Sequence, residues 1–367
     1  MTPAPAPENA SPRPATAVVI DRPGGHDRLN LQPVHCPPPA AGEVRIAVRA
    51  IGVNYADVLV RMGLYASARH YVGWPVTPGF EVAGFIEDIG SGVVGWRPGD
   101  RVLAVTRFGG YASRIVVPAQ QVFRVPNGWL LEQAAAFPTA HLTAWWALRR
   151  LAHVQPGENV LVHSAAGGVG QALCRLARLA GAHVTGIVGH PDKIPAARDA
   201  GAQHVISRHH PRPWEQALRH RPDGYHVVLD ANGADTLRES WHLLAAPGRL
   251  VVYGFHAMLP RGASRPSLLK LAWDWLRTPR FNPLDMTRHN RSVLAFNLSF
   301  LFDQNDALQQ AMSELLDLAA GHALPPPAHQ TLPFHDVHRA HARLESGRST
   351  GKIVLHISDD DAAAHVP

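Results

Sequence analysis

The sequence predicts an α/β fold in which a doubly wound parallel sheet follows a smaller, mostly β domain. Three observations carry this prediction. The first is the stretch His163-Ser164-Ala165-Ala166-Gly167-Gly168-Val169-Gly170. It follows an apolar run with strand composition, 159–162, and opens into 171–179, where Leu173, Leu176, Ala177 and Ala180 recur at helical spacing. Strand, glycine-rich turn and helix form the setting in which a Gly-x-Gly-x-x-Gly pattern signals dinucleotide binding. Here Ala165 stands at the first glycine, and Gly167 and Gly170 hold the other two places. Gly167 and Gly168 let backbone N–H groups approach a pyrophosphate, while Gly170 lets the helix pack closely with its positive end toward the phosphates.

The second observation is alternation. Segments 183–188, 205–206, 225–229 and 249–253 read as strands two to five, and 292–296 as a sixth. Helices at 194–200 and 235–244 fall among them. Apolar strands alternating with helices imply a parallel sheet covered on both faces, with ligands at the strands' carboxyl ends. The third is the change of character before residue 139. Segments 43–51, 82–89, 101–105 and 112–117 are short strands divided by Gly/Pro punctuation, which suggests a compact barrel-like domain. A strand at 351–355 is expected to return to that first domain. The expected organisation is a tail over 1–16, a catalytic domain over 17–138 and 322–357, a nucleotide domain over 139–321, and a second tail over 358–367.

Composition narrows the function classes. With 46% hydrophobic and 17% charged residues among 367, the chain is globular and long enough for two cores. No run approaches the length of a membrane-spanning helix, and the Pro/Ala-rich start has no signal-peptide pattern. The net charge of +6 comes from scattered arginines without a basic block interleaved with aromatics, so nucleic acid is not the expected partner. Two cysteines, Cys36 and Cys174, make no disulfide framework, and a cytoplasmic location follows. Cys174 reads as inert packing within a helix.

Gly52-Val53-Asn54-Tyr55-Ala56-Asp57, Pro78-Gly79-Phe80-Glu81, Gly99-Asp100-Arg101-Val102, Leu142-Thr143-Ala144, the glycine loop and Gly351-Lys352 occur in this order. Together they resemble the medium-chain dehydrogenase/reductase superfamily, over nearly the whole chain. The resemblance implies a Rossmann domain beside a GroES-like, mostly β catalytic domain. The quinone oxidoreductases are the branch it is most similar to, and residues 290–302 resemble the vesicle amine transport protein homologues within it.

Zinc alcohol dehydrogenases of this superfamily carry a Cys where this chain has Asn54 and a His where it has Phe80. Neither residue suits zinc, and two cysteines cannot build a four-cysteine lobe. Among 23 histidines, His335, His338 and His341 invite a metal reading. Successive i,i+3 steps drift around a helix axis, so they read instead as surface histidines. No metal is expected. Without a Lewis acid, hydride transfer needs an acceptor that is already electron-poor, such as a quinone or an α,β-unsaturated carbonyl compound. The resemblance implies such a small electrophilic substrate, with an enoyl thioester and a non-catalytic lipid-binding protein as alternatives.

NAD-specific domains place an acid at the end of the second strand to bind the ribose hydroxyls. That strand here ends Val188-Gly189-His190, which leaves room for a 2′-phosphate. Lys193 stands where the family's NADPH-binding members carry a lysine, and Arg208 can pair with the phosphate or lie against the adenine. Asp192 is the counter-indication, as a displaced ribose acceptor or as a first-turn charge matched to a helix dipole. NADPH is the expected cofactor. The resemblance extends its contacts to Asn54, Thr143, Ala166, Gly167, Gly168, Val169, Gly170, Gly189, Asn232, Gly254 and Lys352. Phe255, Phe296 and Asn297 follow strand ends and would face the nicotinamide half.

Asn54 and Tyr65 are the catalytic candidates. Tyr65 matches a tyrosine assigned in enoyl reductases as an acid or substrate contact. A phenol near its ordinary pKa of about 10 can protonate a developing enolate, or the ring can simply shape the pocket. Between the fifth and sixth strands lies an insert, 257–290. In it Leu268, Leu269, Leu271, Ala272, Trp273, Trp275 and Leu276 cover one helical arc opposite Lys270, Asp274 and Arg277. Packing against the chain's own core is the first expectation for this arc. Capping the pocket, pairing in a homodimer and touching a membrane are the others, the membrane being the least expected. A homodimer is the expected assembly.

Overall fold

The computed structural model describes residues 11–258, 267–358 and 361; most of both expected tails and residues 259–266 of the insert lie outside them. Strands β1 (Arg13–Val19) and β2 (Asn30–Cys36) form an antiparallel pair. β1 therefore begins inside the expected N-terminal tail. It is held there by Arg13 on Glu87 and by the Thr16 N–H on Ser113 Oγ at 2.9 Å.

The second sheet contains β3 (Glu43–Val53), β4 (Glu81–Ile89), β5 (Arg101–Val105), β6 (Arg114–Pro118) and β7 (Val122–Arg124). Alternation in β3 buries Val44, Ile46 and Val48 while leaving Glu43 and Ala47 half-buried. Two short helices, α1 (Tyr55–Arg61) and α2 (Ala66–Tyr71), separate β3 from β4. Helices α3 (Leu131–Ala135) and α4 (Pro138–Trp145) then lead out of this sheet.

Six parallel strands follow: β8 (Asn159–Val162), β9 (His183–Val188), β10 (His204–Ser207), β11 (Tyr225–Asp230), β12 (Leu244–Val252) and β13 (Arg291–Ala295). Their spatial order, β10-β9-β8-β11-β12-β13, is the doubly wound order with its switch point between β8 and β11. Helices α5 (Gly168–Leu179), α6 (Ile194–Asp199), α7 (Pro213–His220) and α8 (Leu237–His242) supply the crossovers. The insert forms α9 (Leu268–Arg277) and α10 (Pro283–His289), and α11 (Asn305–Ala320) packs on α4. The chain returns through β14 (His329–Pro333), α12 (Val337–Glu345) and β15 (Lys352–His356). β14 pairs with β15, and β15 pairs with β3, so the C-terminal strand completes the first sheet.

One apolar core runs from Ala50, Ala83, Leu103 and Val354 of the first sheet through α3 and α4 to Val160, Val162 and Val227 of the parallel sheet. The interval between the sheets is therefore packed. Among the described residues no helix is long and apolar enough to cross a membrane.

Two expectations change here. His341 is wholly buried and not a surface histidine, its Nε2 3.1 Å from Tyr111 Oη, while His335 and His338 remain exposed. The insert turns the other way from its first expectation. Asp274 is buried and pairs with Lys270, whose Nζ also reaches the Ala257 carbonyl at 2.5 Å. Leu268, Leu269, Trp273, Trp275 and Leu276 consequently face outward. A desolvated carboxylate needs its partners inside, and in a helix that fixes which face turns in.

Candidate active site

Asn54 caps the N-terminus of α1 where β3 leaves the first sheet. Its backbone N–H donates to Asp57 Oδ2 at 2.7 Å, the reciprocal arrangement of a capping box. The amide itself is clamped. Nδ2 donates to Glu81 Oε1 at 2.8 Å, and Oδ1 accepts from Lys352 Nζ at 2.7 Å. The same ammonium donates to Glu81 Oε1 at 2.6 Å and to the Val53 carbonyl at 2.9 Å, which uses its three N–H donors. Glu81 Oε2 accepts from the Thr139 N–H at 2.7 Å, so its charge also sits at the positive end of α4. Gly52 leaves room for this carboxylate: a Cβ there would lie 2.3 Å from Oε1.

Residues from β3, β4, α4 and β15 thus meet at one fully buried ion pair. Asn54 and Lys352 belonged to the expected site. Glu81 did not, although a carboxylate opening an apolar strand beside Phe80 was its signal. The arrangement also bears on metal. An ammonium already lies between the amide and the carboxylate, and a cation drawn to Glu81 would meet that fixed positive charge. Phe80, beside Glu81, is buried against Tyr65 and Phe108 and offers no donor. Among the described residues no three His, Cys, Asp or Glu side chains converge on one point.

The glycine loop is stitched to this cluster. The Gly351 N–H donates to the Ala166 carbonyl at 2.9 Å, which holds Lys352 beneath the loop. Gly170 is needed for packing, since a Cβ there would approach Ser164 O to 2.2 Å. The space beside Gly168 is taken by the Lys352 stem, its Cδ 2.6 Å from where a Cβ would stand. Gly167 is the N-cap of α5, and no side chain caps the helix, so its first-turn N–H groups are available to an anion. Val169 and Phe296 pack at the edge of the main core. Ser164 takes a left-handed backbone (φ 54°) and donates its hydroxyl to Asn232 Oδ1 at 3.1 Å. Asn232 is otherwise engaged by His163 and by the Asp230 carboxylate.

At the end of β9, Gly189 has only Arg208 Nη2 nearby, 3.7 Å from where a Cβ would stand. His190 and Asp192 pair with each other at 3.1 Å. Lys193 donates across the molecule to the carbonyls of Gly347 and Ser349, at 2.5 and 2.7 Å, on the segment that leads to Lys352. A Cβ on Gly254 would stand 3.0 Å from the Ala231 carbonyl oxygen, and Phe255 packs over Gly233 while staying 42% exposed. The Thr143 hydroxyl donates to the Thr139 carbonyl at 2.7 Å.

Tyr65 caps α2 and donates from Oη to Asn297 Oδ1 at 2.8 Å, across the interval between the two sheets. Asn297 Oδ1 also accepts from the Ser299 N–H and hydroxyl, and Ser299 reaches Ser67. Burial raises the Tyr65 pKa above its ordinary value, so the phenol is protonated at neutral pH. Deeper still, Asp57 accepts from the Gly79 N–H and Tyr111 Oη, and burial pushes its carboxyl up to about 7. Burial likewise lifts the Cys174 thiol to about 12, away from thiolate chemistry.

Comparison with known proteins agrees with this geometry. Residues 40–127 match the alcohol dehydrogenase GroES-like domain, and 200–355 match the zinc-binding dehydrogenase family. The chain is 32% identical over 344 residues to the synaptic vesicle membrane protein VAT-1 homolog of Rattus norvegicus, covering 93% of this chain and 84% of that protein. Among solved structures it is similar to CurK enoyl reductase (TM-score 0.81, 28% identity, 94% of this chain and 99% of that one). It is also similar to the Escherichia coli quinone oxidoreductase complexed with NADPH (TM-score 0.79, 29% identity, 93% and 99%). Sheet order, glycine loop and these likenesses together place the chain in the medium-chain dehydrogenase/reductase superfamily, in its quinone oxidoreductase branch.

Proposed function

We propose that this oxidoreductase is NADPH-dependent, works without a catalytic metal, and reduces quinones or α,β-unsaturated carbonyl compounds. The observation that carries the reading is the Lys352 ammonium held between Asn54 and Glu81. A site built around that charge has no place for a Lewis acid, so it suits acceptors that are already electron-poor. The likeness to a quinone oxidoreductase complexed with NADPH supports the cofactor. So do the uncapped start of α5 and the cations Lys193 and Arg208 beyond β9. The division into residues 17–138 with 322–357 and residues 139–321 goes with this reading, β1 extending the first part back to Arg13.

Bound there, NADPH would supply a hydride. The first-turn N–H groups of α5 would receive its pyrophosphate, and Arg208 and Lys193 its 2′-phosphate. Asn54, unable to rotate, fixes the wall beside the reacting face. In an enone, a hydride supplied at the β-carbon would send the π electrons to the carbonyl oxygen. The proton on Tyr65 Oη, or one from water, completes the reduction at the α-carbon. In a quinone the same hydride and one proton would yield the hydroquinone. Asn297 holds the Tyr65 proton until it is needed.

The test is NADPH oxidation across quinones, enones, enoyl thioesters and isolated ketones. Turnover of the conjugated acceptors, with isolated ketones at least about a hundredfold slower, is the expected result. Comparable rates on isolated ketones, or activity that falls with a chelator, would sink it. A second reading, an enoyl-thioester reductase, is favoured by the likeness to CurK enoyl reductase; thioesters outpacing every quinone and enone would establish it. Absence of turnover on the whole panel, with NADPH still bound, would point to a non-catalytic role.

A further inference from the structure

A second buried polar cluster begins at the first residues of the glycine loop and shares no residue with the Asn54 clamp. Asp230 ends β11 and is fully buried. Its carboxylate accepts from the Asn232 N–H at 2.7 Å, the Gly233 N–H at 3.2 Å, and the hydroxyls of Thr236 and Ser240 at 2.8 and 2.7 Å. These donors fix the direction of every bond attached to them. Ser240, on α8, donates its proton to Asp230, so its oxygen accepts from the His163 Nε2–H at 3.0 Å. Burial holds the His163 imidazole neutral, with its pKa below the ordinary value. Nδ1 is then an acceptor, 3.3 Å from the Asn232 amide nitrogen. Asn232 therefore turns Oδ1 toward Ser164, whose hydroxyl donates to it at 3.1 Å. Each bond has one polarity, running from the Ser164 hydroxyl to the Asp230 charge.

Ser164 is the pivot of that loop. It is a non-glycine residue in the left-handed region (φ 54°), a conformation that a Cβ disfavours. Its carbonyl accepts from the Gly167 N–H at 2.9 Å, closing the turn that leads into α5. The same carbonyl faces the bare Cα of Gly170, where a Cβ would stand 2.2 Å from it. We propose that Asp230, Ser240, His163 and Asn232 form a one-way hydrogen-bond chain that holds Ser164 left-handed and so sets the shape of the pyrophosphate loop. Asn232 and Ser240 are thereby positioning residues, which act on the cofactor through Ser164 and not by touching it. A serine, unlike a glycine, keeps this backbone only while its hydroxyl is held. The inference rests on the reading that α5 and its loop receive the cofactor's pyrophosphate.

Double-substitution cycles in the full chain test it, with NADPH affinity read by fluorescence titration and stability by the urea midpoint. Asn232→Ala should weaken NADPH binding about tenfold, because nothing then favours the left-handed conformer. In a Ser164→Gly background the same substitution should change affinity less than about twofold, since glycine adopts that backbone without a lock. Ser240→Ala, at the far end of the chain on another helix, should follow the same pattern more weakly, about threefold in the Ser164 protein. It replaces Asn232→Ala should that variant fail to fold. Equal losses in both backgrounds would overturn the proposal, since Asn232 would then touch the cofactor or support only the fold. An unchanged NADPH affinity in the Ser164 protein would overturn it as well. If the wild type binds neither NADPH nor NADH, the cofactor reading fails and the urea cycles decide alone. Coupled substitutions would then uphold the lock, and additive ones would refute it.

Discussion

Asn54 and Tyr65 each cap a short helix of the same region, α1 and α2, yet their surroundings hold them in opposite ways. Asn54 is gripped at both ends of its amide by a buried ammonium and a buried carboxylate. Tyr65 rests on neutral hydrogen-bonding partners, Asn297, Ser299 and Ser67, in a partly buried position. The first arrangement can only position, since moving the amide would take one hydrogen bond from each of two charges in a dry interior. The second can let go, because each neutral hydrogen bond is worth about 1 kcal/mol net and the phenol keeps its proton. A reductase that must hold a cofactor still and release a proton on demand needs one of each.

The sharpest way to break this comparison is Lys352→Met. It leaves Glu81 buried without its cation, and loss of one partner from a buried pair costs about 3–5 kcal/mol. The urea midpoint should fall accordingly, and adding Glu81→Gln should recover part of the loss because the stranded charge is then gone. A single-variant loss below about 1 kcal/mol would show that the pair does not secure Asn54.

Tyr65→Phe probes the other side. Removing the hydroxyl should lower kcat on an enone roughly ten- to a thousandfold with little change in KM, the mark of an interaction used in the transition state. On a quinone the loss should be smaller, because a reduced quinone takes its proton from water. Full activity on both acceptors would remove Tyr65 from proton transfer. A raised KM alone would make it a wall of the pocket, with Asn297 merely orienting the ring.

The parts of this molecule that repeat a local rule were readable from sequence, and the parts that depend on distant partners were not. Strands β5 and β9 coincide with the segments expected from composition, and the glycine loop opens α5 as its spacing requires. The return of β15 to the first sheet was also visible, since an isolated apolar run after the last helix needs an edge to join. Glu81 escaped because its role rests on Lys352, far along the chain, and on the Thr139 N–H at the start of another helix. His341 escaped for a similar reason: helical spacing reports its direction from the α12 axis, whereas its burial is decided by Tyr111. The orientation of α9 turned on the same kind of fact. Its apolar arc is longer than its polar edge, and pattern alone favours burying the arc; the carboxylate of Asp274 and its partners reversed it.

The smallest effect is expected at Lys193, where the comparison can be sharpened rather than broken. Its ammonium is bound to two backbone carbonyls, Gly347 and Ser349, on the segment that continues to Gly351 and Lys352. Both of these partners are backbone carbonyls, and the contacts tie the turn after β9 to the segment that carries Lys352. If Lys193 reads the 2′-phosphate, Lys193→Ala should weaken NADPH binding about tenfold, because one charge-assisted contact is worth about 1.5–3 kcal/mol, and should leave NADH nearly unchanged. If it works only by holding the 347–349 segment, both cofactors should weaken alike. Titrating each cofactor by fluorescence into wild type and variant separates the outcomes. Lys193→Arg extends the test, since a guanidinium keeps the charge but changes the reach and geometry toward the two carbonyls. Selective loss with Ala and retention with Arg would assign the position to the phosphate. Equal loss of both cofactors with either substitution would assign it to the frame that carries Lys352 and Asn54.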